Sequence, residues 1–177
     1  MSRLNASLYS SETHTWQTPP NIIDPLLDFL GVKQFEADVC TTEKNIPAKV
    51  HMTESGMCGL ASMWPKEGYC WMNPPYGNAL KMWLKKAYEE SLTGSNVWAL
   101  VPARTETKYQ HEYGLTKAGF VVFLSGRITF HLNGVKGPAN APFPTMLLYY
   151  GKDSNALFEQ WCENPPLQGI AMKGHQK

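Results

Sequence analysis

An alternation of short apolar runs with segments of helical periodicity is the feature that most constrains how this chain can fold. The apolar runs occupy residues 69–72, 96–101, 120–124 and 145–150, and helical patterns occupy residues 22–30, 80–88 and 109–118. A short, continuously apolar run is typical of a strand that is buried on both faces, as in a parallel sheet. The alternation therefore predicts a single-domain α/β fold, with a mostly parallel sheet and helices on both faces.

Proline and glycine mark the limits of the first predicted helix. Pro19 and Pro20 precede the apolar pattern of residues 22–30, and Gly31 follows it. Proline is tolerated in the first turn of a helix, and glycine is favoured just past the last turn. These positions predict one helix that begins near Pro20 and ends at Gly31.

The length of the chain indicates one globular domain. Its 177 residues, 43% of them hydrophobic, are enough to bury one sizeable core. Within it, residues 35–40 predict a short strand, and residues 41–66 predict irregular structure or a short helix because their periodicity is weak. We expect a flexible arm at residues 1–14, the domain at residues 15–168 and a flexible tail at residues 169–177.

Charge and cysteine content exclude some classes of protein. The four cysteines and five histidines do not show the spacing of a metal site, so we expect no metal and reduced thiols. The chain has no apolar run long enough to span a bilayer, so we expect a cytoplasmic protein with no membrane partner. The formal charge of +1 neither indicates nor excludes nucleic-acid binding, which depends on a local basic face.

The tetrapeptide Asn73, Pro74, Pro75 and Tyr76 directly follows the apolar run of residues 69–72. Two prolines remove two backbone donors and leave an array of acceptors. The Asn73 side-chain oxygen and the Pro74 carbonyl are suited to accept the two N–H groups of a nucleobase amine while a group is transferred to its nitrogen. Tyr76 is suited to stack on a base that has been extruded from a duplex.

A strand-ending turn is the alternative interpretation of this tetrapeptide, because Asn-Pro and Pro-Pro are common in turns. The chain contains a comparable segment at Asn164, Pro165 and Pro166, which follows no predicted strand and has no aromatic residue after it. We interpret that second copy as a plain turn. The tetrapeptide alone therefore leaves both interpretations open.

Several further segments occur with this tetrapeptide in a fixed order. They are residues 15–19 (TWQTP), 35–39 (FEADV) with Asn45 after them, 102–108 (PARTETK), 126–130 (GRITF) and 141–144 (APFP). Because it has these segments in this order, the chain resembles the phage DNA N-6-adenine-methyltransferase (Dam-like) family over residues 15–150. It differs from that family at Glu106, where Asp is usual, and it lacks the glycine-rich FxGxG loop that the broader methyltransferase class has after Val39.

The resemblance implies a class I, Rossmann-like methyltransferase fold with S-adenosylmethionine as methyl donor, and a place in a bacterial host cytoplasm if a phage encodes it. It implies catalytic roles for Asn73, Pro74, Pro75 and Tyr76, and a donor pocket lined by Trp16, Thr18, Pro19 and Asp38. A carboxylate at the end of a strand is suited to bind the donor's ribose hydroxyls or its ammonium group. Asp38 acting as a turn or helix cap is the alternative.

The implied activity is methylation of adenine N6 in double-stranded DNA, with the target base flipped out of the duplex. The loops after Val39, Met72 and Val101 are predicted to share one edge of the sheet, since parallel strands end there. Arg104, Lys108 and Arg127 lie on loops near this edge, so we predict that they contact DNA phosphates. The alternatives are methylation of cytosine N4 or of a protein glutamine, and a catalytically silent module that binds the donor or DNA. Asn73 disfavours the cytosine alternative, since that class more often has Ser at this position.

Overall fold

The computed structural model describes residues 16–53 and 55–174, which form a seven-stranded sheet with helices on both faces. The helices are α1 (Pro20–Leu30), α2 (Leu80–Leu92) and α3 (Ser154–Glu163), and a short π-helix spans Gln110–Gly114. The strands are β1 (Phe35–Asp38), β2 (Ala48–His51), β3 (Tyr69–Met72), β4 (Asn96–Pro102), β5 (Phe120–Leu124), β6 (His131–Leu132), β7 (Val135–Lys136), β8 (Thr145–Tyr150) and β9 (Gly169–Lys173).

The sheet has the order β2-β1-β3-β4-β8-β5-β9, while β6 and β7 form a separate hairpin. The four strands β2, β1, β3 and β4 are parallel to one another. Strand β8 is antiparallel to both β4 and β5, so β5 runs in the same direction as β4. The predicted mostly parallel sheet is therefore confirmed. The chain leaves β1 for β2 and returns to β3 on the other side of β1, which opens a crevice at the carboxyl ends of β1 and β3.

Two apolar layers hold the helices against the sheet. Helices α1 and α3 pack on one face around buried aromatic side chains, with the rings of Trp98 and Trp161 5.7 Å apart between centroids. Helix α2 packs on the other face through Trp83, Leu84 and Ala87. Helix α1 ends at Gly31, whose φ of 66° lies in the left-handed region that favours glycine. The predicted placement of helices on both faces is confirmed.

Two strands of the seven-stranded sheet form where the sequence did not predict them, and the β6–β7 hairpin was not predicted either. Strand β2 lies within residues 41–66, and its Lys49 and Val50 are exposed, so its apolar pattern is weak. Strand β9 lies in the predicted flexible tail, where Gly169–Lys173 pairs in antiparallel register with β5. Both are edge strands that are held mainly by backbone hydrogen bonds. The prediction of a flexible tail is therefore wrong for residues 169–173.

Two helical segments also differ from the prediction. Helix α3 was not predicted, and the helix predicted at residues 109–118 is a π-helix of five residues. The Leu115 N–H donates to the Gln110 carbonyl at 2.7 Å, which is the i to i+5 spacing of a π-turn. The buried Gln110 side chain lies against Gly114 and donates to the Pro102 carbonyl at 3.4 Å. This hydrogen bond links the π-helix to the end of β4.

The predicted arm at residues 1–14 lies outside the described residues, as do residues 175–177 of the predicted tail. Within the described part of the chain, every helix is too short or too polar to cross a bilayer.

Candidate active site

The loop at residues 73–76 begins directly after β3, between the carboxyl ends of β1 and β4. Asp38, the last residue of β1, pairs with Trp71, and Met72, the last residue of β3, pairs with Ala99 of β4, which continues to Pro102. The sequence predicted that the loops after these strands share one sheet edge, and the strand register confirms this. Asp38 and Asn73 thus flank the crevice where ligands of such sheets bind.

Hydrogen bonds hold the Asn73 side chain at both ends. Its Nδ2 donates to the Trp16 carbonyl at 2.9 Å, and its Oδ1 accepts a hydrogen bond from the Tyr76 hydroxyl at 2.8 Å. These contacts orient the amide with its nitrogen toward residue 16 and its oxygen toward residue 76. Residues 16 and 73 are thus joined across 57 positions of sequence.

Tyr76 is half-buried in a small aromatic cluster. Its ring makes T-shaped contacts with Phe143, at 5.5 Å between centroids, and with Phe130, at 6.1 Å. Its hydroxyl also lies 3.3 Å from the Leu100 carbonyl. Burial raises the pKa of Tyr76 above its usual value, so the hydroxyl stays protonated and acts as a donor.

Residues 16–19 form an extended segment that is anchored by Gln17. The Gln17 and His131 backbones exchange two hydrogen bonds of 3.0 and 2.9 Å. The buried Gln17 side chain donates to Glu43 at 3.3 Å and accepts from the Gly134 N–H at 2.7 Å. Gln17 therefore ties the segment that contacts Asn73 to the loop after β1 and to the β6–β7 hairpin.

Two polar side chains of the predicted donor pocket are buried. Thr18 Oγ1 has no hydrogen-bond partner among the described residues. Burial raises the pKa of the Asp38 carboxyl from 3.8 to about 7, although hydrogen bonds from the Cys40 N–H and the Thr41 side chain partly offset this. The Cys40 N–H lies 3.4 Å from Asp38 Oδ1, which is the geometry of the turn-capping alternative.

A glycine packs closely against the end of β1, where the broader methyltransferase class has its glycine-rich loop. A Cβ added to Gly59 would lie 1.9 Å from the Val39 carbonyl oxygen, so only glycine fits there without movement of the backbone. The Trp64 indole N–H donates to the Gly59 carbonyl at 2.7 Å and fixes this segment. Gly59 therefore lets residues 55–64 cover the end of β1.

The three basic residues predicted to contact DNA lie on loops at the edge that carries Asn73. Arg104 follows β4 and Arg127 follows β5, and both are exposed. Lys108 is also exposed, and its Nζ lies 3.7 Å from Glu112. None of the three contacts Asn73. Across residues 16–53 and 55–174, no group of three or more His, Cys, Asp or Glu side chains is arranged to hold a metal ion.

Sequence reasoning gave no role to three residues that surround Asn73 and Tyr76 in the structure. Gln17, Phe130 and Phe143 lie in the TWQTP, GRITF and APFP segments that support the family resemblance. Their place in those segments was the available signal. Their contacts with residues far along the chain were not apparent from local patterns.

Comparison of the sequence with known proteins indicates the family of this chain. Residues 5–157 match a family model described as DNA N-6-adenine-methyltransferase (Dam). A curated relative, the DNA N-6-adenine-methyltransferase of Haemophilus phage HP1 (strain HP1c1), is 30% identical over 99 residues, which are 56% of each chain. The chain thus spans about half the length of the curated relative that it matches. The match at residues 5–157 covers most of the chain and includes residues 16–19, Asp38 and the loop at residues 73–76. The chain therefore belongs to the DNA N-6-adenine-methyltransferase (Dam) family.

Proposed function

We propose that this protein transfers a methyl group from S-adenosylmethionine to the N6 amine of adenine in double-stranded DNA. The observation that carries the proposal is the Asn73 amide, which the Trp16 carbonyl orients at the carboxyl end of β3 beside the buried Asp38. Family membership supports the same activity.

The residues present fit the donor. A buried polar atom without a partner costs roughly 1–3 kcal/mol, and Thr18 Oγ1 is such an atom, so a polar ligand group that binds it would remove this cost. Trp16, Thr18, Pro19 and Asp38 would hold S-adenosylmethionine. When bound, this group supplies an electrophilic methyl carbon on a sulfonium centre. The Asp38 carboxylate would accept hydrogen bonds from its ribose hydroxyls or its ammonium group.

The residues of the loop at 73–76 would act on the amine. Its lone pair is delocalised into the base, so acceptors that polarise its N–H groups favour the more tetrahedral nitrogen of the transition state. Asn73 Oδ1 and the Pro74 carbonyl would accept these two N–H groups. Pro75 would keep the backbone in the conformation that presents them. The surplus proton passes from the nitrogen to solvent water once that nitrogen carries positive charge.

Tyr76 bears directly on this chemistry, because its hydroxyl occupies one of the two acceptor positions of the Asn73 oxygen that would accept the amine. A flipped adenine would displace that hydroxyl and stack on the Tyr76 ring. The neighbouring Phe130 and Phe143 would form the apolar wall of the base pocket. Arg104, Lys108 and Arg127 would bind phosphates of the flanking strand.

Product identification tests the proposed reaction. The purified protein is incubated with isotopically labelled S-adenosylmethionine and unmethylated duplex DNA. The DNA is then digested to nucleosides, and the methylated nucleoside is identified by its mass. We expect label in N6-methyl-2′-deoxyadenosine. Label in N4-methylcytosine, or in a protein glutamine when a cell extract replaces the DNA, would assign the chemistry to another amine. Donor binding without any transfer would point to a silent binding module.

A further inference from the structure

A cleft of about 420 Å³ lies beside the segment that contacts Asn73. It is bounded by the start of α1, the end of β5 and the β6–β7 hairpin, and we name it the α1–β5 cleft. Pro19, Ser125, Arg127, His131 and Lys136 are among the residues that line it. Of these residues, only Pro19 and Arg127 already have a role in the proposed function.

The lining of the α1–β5 cleft carries basic side chains without a carboxylate. Arg127, His131 and Lys136 line it, and no acidic residue does so in the part of the chain that the structure describes. Neither Arg127 nor Lys136 forms an ion pair with any residue in ranges 16–53 and 55–174. By contrast, Lys108 and Lys81 both pair with Glu112. Basic groups that converge on a concave surface without counter-charges attract anions.

The position of this cleft limits which anion it meets. Pro19 lines the cleft, and the carbonyl of Trp16, three residues earlier, accepts the hydrogen bond from Asn73 Nδ2. Four consecutive residues span at most about 13 Å. Along one strand of B-form DNA, successive phosphates advance by roughly 3.4 Å along the helix axis and are farther apart in space, so this distance covers at most about four nucleotides. A strand whose base reaches Asn73 would therefore pass its neighbouring phosphates near the cleft.

We propose that the α1–β5 cleft binds backbone phosphates of DNA within a few nucleotides of the target adenine, through Arg127 and Lys136. This inference rests on the proposed function, since it takes DNA as the substrate. The hairpin that supplies Lys136 is tied by Gln17 to the segment at Asn73. Phosphate binding would therefore fix the register of the strand relative to the catalytic loop.

The test compares two double variants that each remove two positive charges. Arg127→Gln/Lys136→Gln alters the cleft. Lys33→Gln/Lys152→Gln is the matched control, because both of its lysines are exposed and lie before β1 and after β8, at the opposite edge of the sheet. Affinity for a fluorescent duplex is measured by anisotropy from about 50 to about 200 mM salt. Binding of S-adenosylmethionine is measured in parallel by calorimetry.

We expect the cleft variant to lower the slope of log affinity against log salt by about 0.9 for each lost phosphate contact, or about 1.8 in all. Donor affinity and the slope of the control variant should stay at wild-type values. Arg127→Lys/Lys136→Arg should restore the slope. If the wild type methylates DNA while the cleft variant keeps its slope, the inference is overturned and the proposed function stands.

Two other outcomes also overturn the inference. A cleft variant that loses donor affinity with an unchanged DNA slope would assign the cleft to the donor's carboxylate. A wild-type protein that binds the donor but neither binds nor methylates the duplex would remove the proposed function as well.

Discussion

The Tyr76 hydroxyl donates a hydrogen bond to Asn73 Oδ1 at 2.8 Å, so the oxygen proposed to receive the substrate amine already has a partner. The same hydroxyl lies 3.3 Å from the Leu100 carbonyl, to which it can turn when the amine arrives. If the substrate amine replaces the Tyr76 hydroxyl as the donor, Asn73 Oδ1 has a hydrogen-bond partner both before and during binding. The arrangement separates two roles of Tyr76, which are the hydroxyl that occupies the acceptor and the ring that would stack on the base.

Substitutions at Tyr76 separate these two roles. Tyr76→Phe keeps the ring and frees Asn73 Oδ1, so we expect kcat/KM for DNA methylation to stay within about threefold of wild type. Tyr76→Ala removes a stacking contact that is worth about 1–3 kcal/mol, so kcat/KM should fall roughly 10- to 100-fold. Steady-state kinetics with duplex DNA checks both variants. An equal loss in Tyr76→Phe would mean that the hydroxyl takes part in the reaction.

Asp38 should make the stability of the folded protein depend on pH. Burial raises its pKa from 3.8 to about 7, so between these values the folded state keeps a proton that the unfolded state releases. The free energy of unfolding should therefore fall as pH rises through this window, and the Asp38 contribution should be flat above it. Denaturant titrations of wild type and Asp38→Asn between these pH values measure this contribution. Identical pH slopes for the two proteins would refute the assignment to Asp38.

Gly59→Ala should destabilise the fold. The added Cβ would lie 1.9 Å from the Val39 carbonyl oxygen, so the backbone at the end of β1 must shift. Overpacking of this kind costs about 1–3 kcal/mol, which a denaturant titration resolves. Gly56→Ala is the matched control, since its new Cβ would meet only the Thr53 hydroxyl, at 3.1 Å, at the end of a side chain that can move. Equal stability of the two variants would rule out the close contact at Val39.

The contact between Gln17 and Glu43 should influence catalysis through the position of Trp16. Gln17→Glu places a carboxylate against Glu43, so we expect a loss of about 1 kcal/mol, or roughly fivefold in kcat. Adding Glu43→Gln restores a donor–acceptor pair with the groups exchanged and should recover the activity. Kinetics of the two single variants and the double variant measure this coupling. Additive losses in the double variant would show that the contact does not position the segment.

The central strands and their helices were predictable because each carries its own burial pattern. Residues 69–72 are apolar at every position, and they form β3 within the predicted limits. Strands β2 and β9 were not predictable in this way, because they lie at the sheet edges and most of their side chains are exposed or only partly buried. The same distinction applies to the site. Parallel strand ends placed Asp38 and Asn73 at one edge, whereas the contact of Asn73 with Trp16 depends on how the N-terminal segment crosses that edge.

Paired substitutions of two asparagines test the central claim most directly. Asn73 and Asn164 each precede two prolines, but Asn73 follows β3 and Asn164 follows α3. Transfer of label from S-adenosylmethionine to N6-methyl-2′-deoxyadenosine is measured for both alanine variants, with donor affinity determined on the same samples. We predict that Asn73→Ala loses about 100-fold or more in kcat with unchanged donor affinity, while Asn164→Ala keeps wild-type activity. Wild-type turnover in Asn73→Ala would contradict the assignment of this residue to the reaction.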